Sequence, residues 1–242
     1  MISVIMPTIW LGPYYASMLP KFNDHPIVGE IIIIDNDVKK INQEIVNLSK
    51  VRYVPQKENI YVNPAWNLGA KLAKFDKLCF YSDDVKFDIS ILDTIAEQIT
   101  TSNGLFGFHK HVINLKDVEI DDDGNFWNCT TLGPIRYSSE ITYNKDIIFC
   151  EIEAMHPKYA ICFFAHKQSY YDIPEELKIF YGDSYLFYKN RIEGKANYEI
   201  QGADVLTFMG SSSSTFDPNT IFLEQSKAKK YIDPLIHKLY NC

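Results

Sequence analysis

The sequence has few cysteines and no arrangement of them that would build a metal site or a set of disulfides. The five cysteines are widely spaced, their number is odd, and no two form a C-x-x-C pair. Cys79 and Cys162 lie in apolar runs, where a free cysteine behaves as a small hydrophobic residue. This usage predicts a reducing compartment, and therefore a cytoplasmic protein, without structural zinc.

Long hydrophobic runs and an excess of positive charge are also missing. No apolar stretch approaches the ~20 residues that cross a bilayer, and the N-terminus has no basic segment before its first strand-like residues. We therefore expect neither an integral membrane segment nor a signal peptide. The net charge of −7 argues against affinity through a broad phosphate-neutralising surface.

What the sequence does contain is a regular alternation of buried strands and helices in its first 110 residues. Strand patterns occur at 2–6, 30–35, 51–54, 77–85 and 105–109, and helical patterns at 13–22, 38–48, 64–75 and 90–100. Short connections between such elements predict the α/β class, with a mostly parallel sheet flanked by helices. No linker or internal repeat interrupts the chain, so residues 1–242 are predicted to form a single domain.

The second half of the chain has weaker patterns. We predict a β-hairpin with an acidic turn at 118–128, a buried strand at 159–164, a helix at 183–193, a strand at 197–209 broken at Gly202, and a terminal helix at 223–240 with a possible kink at Pro234. The hairpin turn contains Asp and Gly because turns favour both residues, which makes a metal site there the weaker interpretation.

Acidic or polar side chains follow three of the predicted strands. Thr8 follows the first strand, Asp35 ends the second, and Asp83 and Asp84 end the strand that begins at Lys77. Ligands of open α/β sheets bind outside the carboxyl ends of the strands, so these side chains should share one rim. Adjacent carboxylates there suit Mg²⁺ or Mn²⁺, which is held by one or two carboxylates and by substrate phosphates. The alternative is an Asx turn at the end of the strand.

These motifs together resemble a known family. The first strand with Pro7 and Thr8, the acid at Asp35, the Asn67-Leu-Gly69 segment, the Asp83-Asp84 pair and the later Gly182-Asp183 segment occur in this order. The chain resembles the family 2 (GT-A fold) nucleotide-sugar glycosyltransferases over roughly residues 2–210. The resemblance implies a Rossmann-like GT-A domain with a nucleotide-sugar-binding half at 1–110, a less regular acceptor-binding half at 111–215 and a C-terminal helix at 216–242.

The resemblance also implies residues for the donor site. Pro7, Thr8 and Asp35 would hold the nucleoside of the donor, which we expect to be UDP-linked, and an acid at this position can accept a hydrogen bond from uracil or ribose. Asn59 and Asn67 fall where the family contacts the base and orders the helix that faces the donor. The alternatives are a turn or capping role for Asp35 and a buried structural amide for Asn67.

Metal and catalytic roles follow from the same resemblance. Asp84 would be the main ligand of Mn²⁺ or Mg²⁺, with Asp83 beside it on the sugar or the metal. Asp183 would be the base of an inverting transfer to a hydroxyl. As an acid in the first turn of a helix it could instead serve the helix alone, and the helix dipole is expected to lower its pKa.

The sequence departs from the family at three positions. Trp66 stands where the family often has Arg, so a diphosphate or base contact is either lost or replaced by stacking, and Gly182 stands where the family often has Glu. A late histidine that could complete the metal site is missing near Met209 and Gly210. The candidate substitutes are a phosphate contact from 211–214 and a metal ligand from His109, His111 or His156.

The acceptor is left open between a glycan, a lipid-linked sugar and a modified nucleic-acid base. Aromatic residues after position 110 would build its site, because sugar faces stack on aromatic rings. A non-catalytic nucleotide- or sugar-binding module of the same fold is a competing interpretation. A nucleotidyltransferase is disfavoured because the loop at 8–13 contains no basic residue to hold a triphosphate.

Overall fold

A computed structural model gives the fold, and it describes residues 1–108, 111–113, 135–137, 146–155, 159–203, 205–207 and 218–240. Several predicted features lie outside these residues, namely the hairpin at 118–128, the loop at 211–214, Met209, Gly210, His109 and His156. His111 belongs to a described strand.

The elements in chain order are β1 (Ile2–Thr8), α1 (Tyr15–Asp24), β2 (Val28–Asp35), α2 (Gln43–Val46), β3 (Val51–Pro55), α3 (Val62–Leu72), β4 (Lys77–Phe80), β5 (Val85–Lys86), α4 (Ile91–Gln98), β6 (Asn103–Phe108), β7 (His111–Ile113), β8 (Ile135–Tyr137), β9 (Ile148–Ile152), β10 (Phe163–His166), α5 (Gly182–Ile192), β11 (Ala196–Gln201), β12 (Val205–Thr207) and α6 (Pro218–Tyr240). This is the α/β class that the sequence predicts.

The larger sheet has eight strands in the order β3-β2-β1-β4-β10-β6-β11-β9. Strands β3, β2, β1 and β4 pair in parallel, whereas β10 lies antiparallel between β4 and β6. Beyond β6, strand β11 pairs in parallel and β9 closes the edge antiparallel. A second sheet has the order β5-β12-β7-β8. The parallel half therefore gathers the carboxyl ends of β1, β2 and β4 at one edge.

Both faces of the central strands are buried, which explains why these strands are continuous apolar runs. In β2, Ile31 and Ile33 pack on the face that α1 and α4 cover, while Ile32 and Ile34 pack on the opposite face with α3, α5 and α6. Successive side chains of a strand point to opposite faces, so one short run supplies both cores. Among the residues that the structure describes, no helix combines the length and the apolar character needed to cross a membrane.

Several predicted elements differ from the structure in their bounds. The strand predicted at 77–85 is divided into β4 and β5, and the strand predicted at 159–164 is β10 at Phe163–His166. The helix predicted at 38–48 is a 3₁₀ turn at Val38–Lys40 followed by the short α2. Asp37 accepts a hydrogen bond from the Lys39 amide and Asn42 accepts one from the Ile45 amide, so each piece has its own cap. The strand predicted at 197–209 is divided into β11 and β12, separated at Gly202, whose φ is +84°. The terminal helix α6 begins at Pro218, five residues earlier than predicted, and continues through Pro234.

Candidate active site

The carboxyl ends of β1, β2 and β4 meet at one rim, as the strand order predicts. Thr8 is the register partner of Asp35 on the neighbouring strand, and β4 runs parallel to β1 on its other side. The Thr8 hydroxyl donates a hydrogen bond of 2.6 Å to Oδ2 of Asp83, three residues beyond the end of β4. The predicted proximity of the three strand ends is confirmed.

Asp83 is held by the loop that connects β1 to α1. Its carboxylate accepts hydrogen bonds from the Thr8 hydroxyl and from the Gly12 amide, and its carbonyl oxygen accepts from the amides of Tyr14 and Tyr15 at 3.2 and 3.1 Å. A Cβ at Gly12 would lie 2.3 Å from the Asp83 carbonyl carbon, so only glycine lets the loop approach this closely. Burial nevertheless raises the pKa of Asp83 above its ordinary value.

Asp84 differs from its neighbour because the residue as a whole keeps some exposure to solvent. Removal from bulk water and the adjacent Asp83 charge raise the pKa of Asp84 to about 7. No group of three or more His, Cys, Asp or Glu side chains that could hold a metal occurs in the described part of the chain. The pair still fits a divalent cation, since Mg²⁺ needs only one or two carboxylates when phosphates supply other ligands. A cation beside the pair would offset the repulsion that raises the pKa of Asp84.

A cleft that opens to solvent lies next to this pair. Its lining comes from the end of β1, the residue after β2 and the start of α3, and comprises Pro7, Thr8, Ile9, Asn36, Asn59, Tyr61, Val62 and Asp83. Four of the predicted site residues, Pro7, Thr8, Asn59 and Asp83, are therefore brought together. Asp35 and Asn67 are not part of this lining.

Asp35 lies behind the cleft. Its side chain is fully buried, with Oδ1 accepting from the Asp37 amide at 2.8 Å and Oδ2 accepting from the Tyr53 hydroxyl at 2.7 Å. Burial and this carboxylate raise the pKa of Tyr53 to about 12. Asn36 faces the cleft instead, and its Oδ1 accepts from the Ile60 amide at 3.1 Å. The turn role considered for Asp35 accounts for these contacts, and a direct nucleoside contact from it stays a prediction.

The segment before α3 forms the opposite wall of the cleft. Oδ1 of Asn59 accepts a hydrogen bond of 2.8 Å from the Tyr61 amide, and Tyr61 has a positive φ of 68° with an extended ψ of −175°. Asn36 and Tyr61 were missed from the sequence. The sequence could have indicated both residues, because Asn36 directly follows Asp35 and Tyr61 lies two residues after Asn59. In a loop, either of two neighbouring residues can be the one whose side chain faces the cleft.

The Asn67 side chain of α3 is held by the segment at 170–173. Its Nδ2 donates to the Ile173 carbonyl at 2.8 Å, and its Oδ1 accepts from the Ile173 amide at 2.9 Å and from the Tyr170 hydroxyl at 2.7 Å. These contacts match the structural-amide alternative and fix α3 against the segment at 170–173. Trp66, on the same helix, is buried with its ring centroid 5.2 Å from that of Phe163, so its ring packs in the core on this face of the sheet.

Asp183 lies in the first turn of α5, as the sequence predicts. Its Oδ1 accepts a hydrogen bond of 2.8 Å from the Ser184 amide. The expectation that the helix would lower its pKa is wrong, because burial raises the pKa of Asp183 and outweighs the hydrogen bonds that lower it. A carboxylate with a raised pKa is a stronger base than an ordinary aspartate.

The first turn of α3 connects the cleft to Asp183. Val62 lines the cleft, and the next residue, Asn63, donates from Nδ2 to the Phe180 carbonyl at 3.2 Å. A Cβ on Gly182 would lie 2.3 Å from Oδ1 of Asn63. Gly182, the residue before Asp183, is therefore in contact with the helix whose beginning forms one wall of the cleft, and the contact leaves no space for a side chain at position 182.

Comparison with known proteins extends this geometry to related structures. No protein-family model matches the chain, and no curated protein sequence matches it. Among solved structures, S. aureus TarS 1-349 in complex with UDP-GlcNAc matches with a TM-score of 0.61 at 15% identity, over 98% of this chain and 66% of that chain. The complex of the same protein with UDP matches with a TM-score of 0.61 at 13% identity, over 98% of this chain and 65% of that chain.

A structure of GalNAc-T7 with UDP, GalNAc and Mn²⁺ also matches, with a TM-score of 0.59 at 15% identity, over 86% of this chain and 43% of that chain. The chain thus spans between 43% and 66% of the length of these three structures. At this level of identity the likeness concerns the fold. The chain has the GT-A fold that the sequence resemblance implies.

Proposed function

We propose that the protein is an inverting glycosyltransferase, which moves a hexosyl or pentosyl group from a UDP-linked donor to a hydroxyl of an acceptor. The observation that carries the proposal is the Asp83-Asp84 pair beside a cleft at the carboxyl edge of the sheet, with Asp183 reached through α3. The matched structures support it, since they were determined with UDP, with UDP-GlcNAc, and with UDP, GalNAc and Mn²⁺.

The cleft is the proposed site of the nucleoside. Pro7 and Tyr61 offer apolar and aromatic surface, and the amides of Asn36 and Asn59 lie at its wall. A few polar groups on a mostly apolar concave surface are typical of small-molecule sites. The Thr8 hydroxyl donates its hydrogen bond to Asp83, so its proposed role is to fix the carboxylate pair relative to the bound nucleoside.

Asp84, with Asp83 beside it, would hold Mn²⁺ or Mg²⁺ in the donor complex. When bound, the cation neutralises charge on the departing diphosphate. Asp83 is already held by Thr8 and Gly12, so Asp84, a residue that keeps some exposure to solvent, is the freer of the two to approach a ligand. The binding of a cation requires the ionised form of Asp84.

Asp183 is the proposed base. As the acceptor oxygen forms its bond to the anomeric carbon, the bond from that carbon to the diphosphate oxygen breaks and the diphosphate keeps its electron pair. The carboxylate of Asp183 takes the proton of the acceptor hydroxyl. The acceptor is proposed to be a glycan, a lipid-linked sugar or a modified nucleic-acid base, bound by the half of the chain after residue 110 in a cytoplasmic protein.

The test combines donor binding with turnover. UDP and a panel of UDP-sugars are titrated with Mn²⁺ and with chelator, binding is followed by calorimetry and thermal shift, and release of UDP is followed with candidate acceptors. We expect cation-dependent binding and turnover in the wild type. Asp183→Asn should keep donor affinity within about twofold and lose ~10²–10⁴-fold in kcat.

Asp172→Asn is the matched control, because the Asp172 side chain is exposed and pairs with Lys71 at 3.0 Å outside the cleft. It should leave binding and turnover unchanged. Donor binding without UDP release for every acceptor would support the non-catalytic module. An Asp183→Asn variant with wild-type kcat would refute the assignment of the base, and the absence of any nucleotide binding would refute the proposal as a whole.

A further inference from the structure

One buried carboxylate outside the proposed site accepts hydrogen bonds from three consecutive backbone amides. Glu224 of α6 is 3% exposed. Its Oε1 accepts from the amides of Lys178 and Ile179 at 2.9 and 3.1 Å, and its Oε2 accepts from those of Ile179 and Phe180 at 3.0 and 2.6 Å. Hydrogen bonds to an ionised carboxylate are stronger than those between neutral groups, so this segment is firmly attached to α6.

The carbonyl groups of the same segment are held from the other side by α3. Nδ2 of Asn63 donates to the carbonyls of Leu177 and Phe180 at 3.3 and 3.2 Å, and the Asn63 amide donates to the Lys178 carbonyl at 3.0 Å. The segment at 177–180 therefore lies between two side chains of opposite function, with Glu224 accepting from its amides and Asn63 donating to its carbonyls.

This segment leads directly into the proposed base. Tyr181 follows it in a left-handed conformation with φ of 64°, Gly182 packs against Asn63 with no space for a Cβ, and Asp183 comes next. A backbone change at 178–180 would rotate the first turn of α5, since neither Tyr181 nor Gly182 has freedom to absorb it.

We propose that Glu224 is a positioning residue, which fixes the Asp183 carboxylate relative to the donor cleft by holding the backbone at 178–180. The C-terminal helix α6 is then part of the support of the reacting groups. The inference rests on the proposed role of Asp183 in glycosyl transfer. A displacement of about 1 Å of a catalytic group is sufficient to reduce turnover by ~10²-fold while donor contacts stay intact.

The test is Glu224→Gln in the full chain, with the UDP-sugar and acceptor that give turnover in the wild type. The amide keeps the size of the side chain but turns a donor towards backbone amides, so part of the cluster is lost. We expect kcat to fall at least tenfold, while the donor KM and the dissociation constant of UDP with Mn²⁺ change by less than twofold. Glu224→Asp, which keeps the charge but shortens the side chain, should give a smaller loss of kcat.

Two control variants separate positioning from a general loss of stability. Glu176→Gln removes an exposed carboxylate that pairs at 3.3 Å with Lys230 of α6, the helix that contains Glu224. This variant should leave kcat unchanged. Ile232→Ala removes a buried side chain from α6 and leaves Glu224 in place. It should lower the melting temperature at least as much as Glu224→Gln and keep kcat near the wild-type value at temperatures where both variants are folded.

Equal loss of kcat in Ile232→Ala and Glu224→Gln would overturn the inference, because the effect would then follow stability. Wild-type kcat in Glu224→Gln and Glu224→Asp, together with a strong loss in Asp183→Asn, would also overturn it while leaving the proposed function intact. If Glu224→Gln does not fold, the milder Glu224→Asp variant tests the inference instead, by the same comparison of the change in kcat with the change in the donor KM. Wild-type kcat in Asp183→Asn would count against the base assignment itself.

Discussion

Replacing Asp84 with asparagine should stabilise the protein without ligand at neutral pH and remove its cation-dependent donor binding. Burial and the Asp83 charge raise the pKa of Asp84 from 3.8 to about 7 in the folded chain. Stability linked to this group is fully present below its unfolded pKa and is lost as pH rises through its folded pKa. At pH 8 the folded protein therefore bears the full cost of an ionised, partly buried Asp84, which the amide does not have.

The size of the effect follows from the shift. About three pKa units at ~1.4 kcal/mol per unit set a ceiling of about 4 kcal/mol for the gain in free energy of unfolding. Because Asp84 as a residue keeps some exposure to solvent, about half of that ceiling, ~2 kcal/mol, is the expected value. For a chain of this length such a gain raises the melting temperature by about 4–8 °C.

The assay is thermal unfolding of wild type and Asp84→Asn in chelator from pH 5 to pH 8.5, repeated with Mn²⁺ and UDP. We expect the gain at pH 8 to shrink towards pH 5, and the shift produced by Mn²⁺ with UDP to vanish in the variant. The exposed Asp172→Asn should change the free energy of unfolding by less than about 0.5 kcal/mol at any pH. A variant less stable than wild type at pH 8, or a gain independent of pH, would refute the reasoning.

Three further predictions concern the groups around the cleft. The kcat should fall as pH decreases, because the base must be ionised. The midpoint of this fall should lie above the pKa of an ordinary aspartate, because burial raises the pKa of Asp183, and a pH profile of kcat measures it. Gly12→Ala should weaken donor binding at least tenfold by calorimetry, because its Cβ would lie 2.3 Å from the carbonyl carbon of Asp83. Tyr53→Phe should lower the free energy of unfolding in urea by ~1–3 kcal/mol, because buried Oδ2 of Asp35 loses its hydroxyl donor.

Their controls come from the same chain. Gly194 has φ of 75° and nothing within 4 Å of a Cβ, so Gly194→Ala should cost ~1 kcal/mol through backbone strain and leave donor affinity unchanged. Equal donor affinity in Gly12→Ala and wild type would contradict the close approach of the loop. An acidic limit of kcat near pH 4 would contradict the raised pKa of Asp183, and a Tyr53→Phe variant as stable as wild type would show that Asp35 finds another donor.

The parallel half of the fold was predictable because its information is local. Strands β1 and β2 are buried on both faces, so each is a mainly apolar run, and short connections to the helices that follow them leave few topologies. The rim followed from the same pattern, since parallel strands end at one edge. The same pattern pointed to Asp83 and Asp84, because adjacent carboxylates near the end of a buried strand suit a divalent cation, and their role in binding stays a prediction.

The remaining features depend on pairings that local patterns do not contain. Strand β10 enters between β4 and β6 from far along the sequence, and Glu224 contacts Phe180 across 44 residues. Which of Asp35 and Asn36 faces the cleft is decided by Tyr53 on the neighbouring strand, whose hydroxyl holds the acid in the interior. A sequence pattern marks the segment that carries a site, whereas tertiary contacts select the side chain that reaches the ligand.

The strained backbone of the chain is concentrated around the proposed site. In the part that the structure describes, the non-glycine residues with positive φ are Trp10, Tyr61 and Tyr181. Trp10 is in the loop that holds Asp83, Tyr61 lines the cleft, and Tyr181 precedes the proposed base by two residues. Such sparsely populated backbone conformations cost about 1–3 kcal/mol per residue, and they persist here because specific contacts fix them, such as the 2.7 Å hydrogen bond from the Trp10 amide to Thr8 Oγ1.

The strained backbone and the burial of the Asp84 charge both lower the free energy of unfolding, so each makes the site less stable than an ordinary loop would be. The apolar strands on which the site is built are fully buried on both faces, and their burial supplies the stability that offsets these costs. A fold that only needed to be stable would place glycine at the positions with positive φ and an uncharged residue at position 84. The combination of large aromatic side chains at positive φ with an ionisable pair at one rim therefore argues that this edge of the sheet binds a ligand.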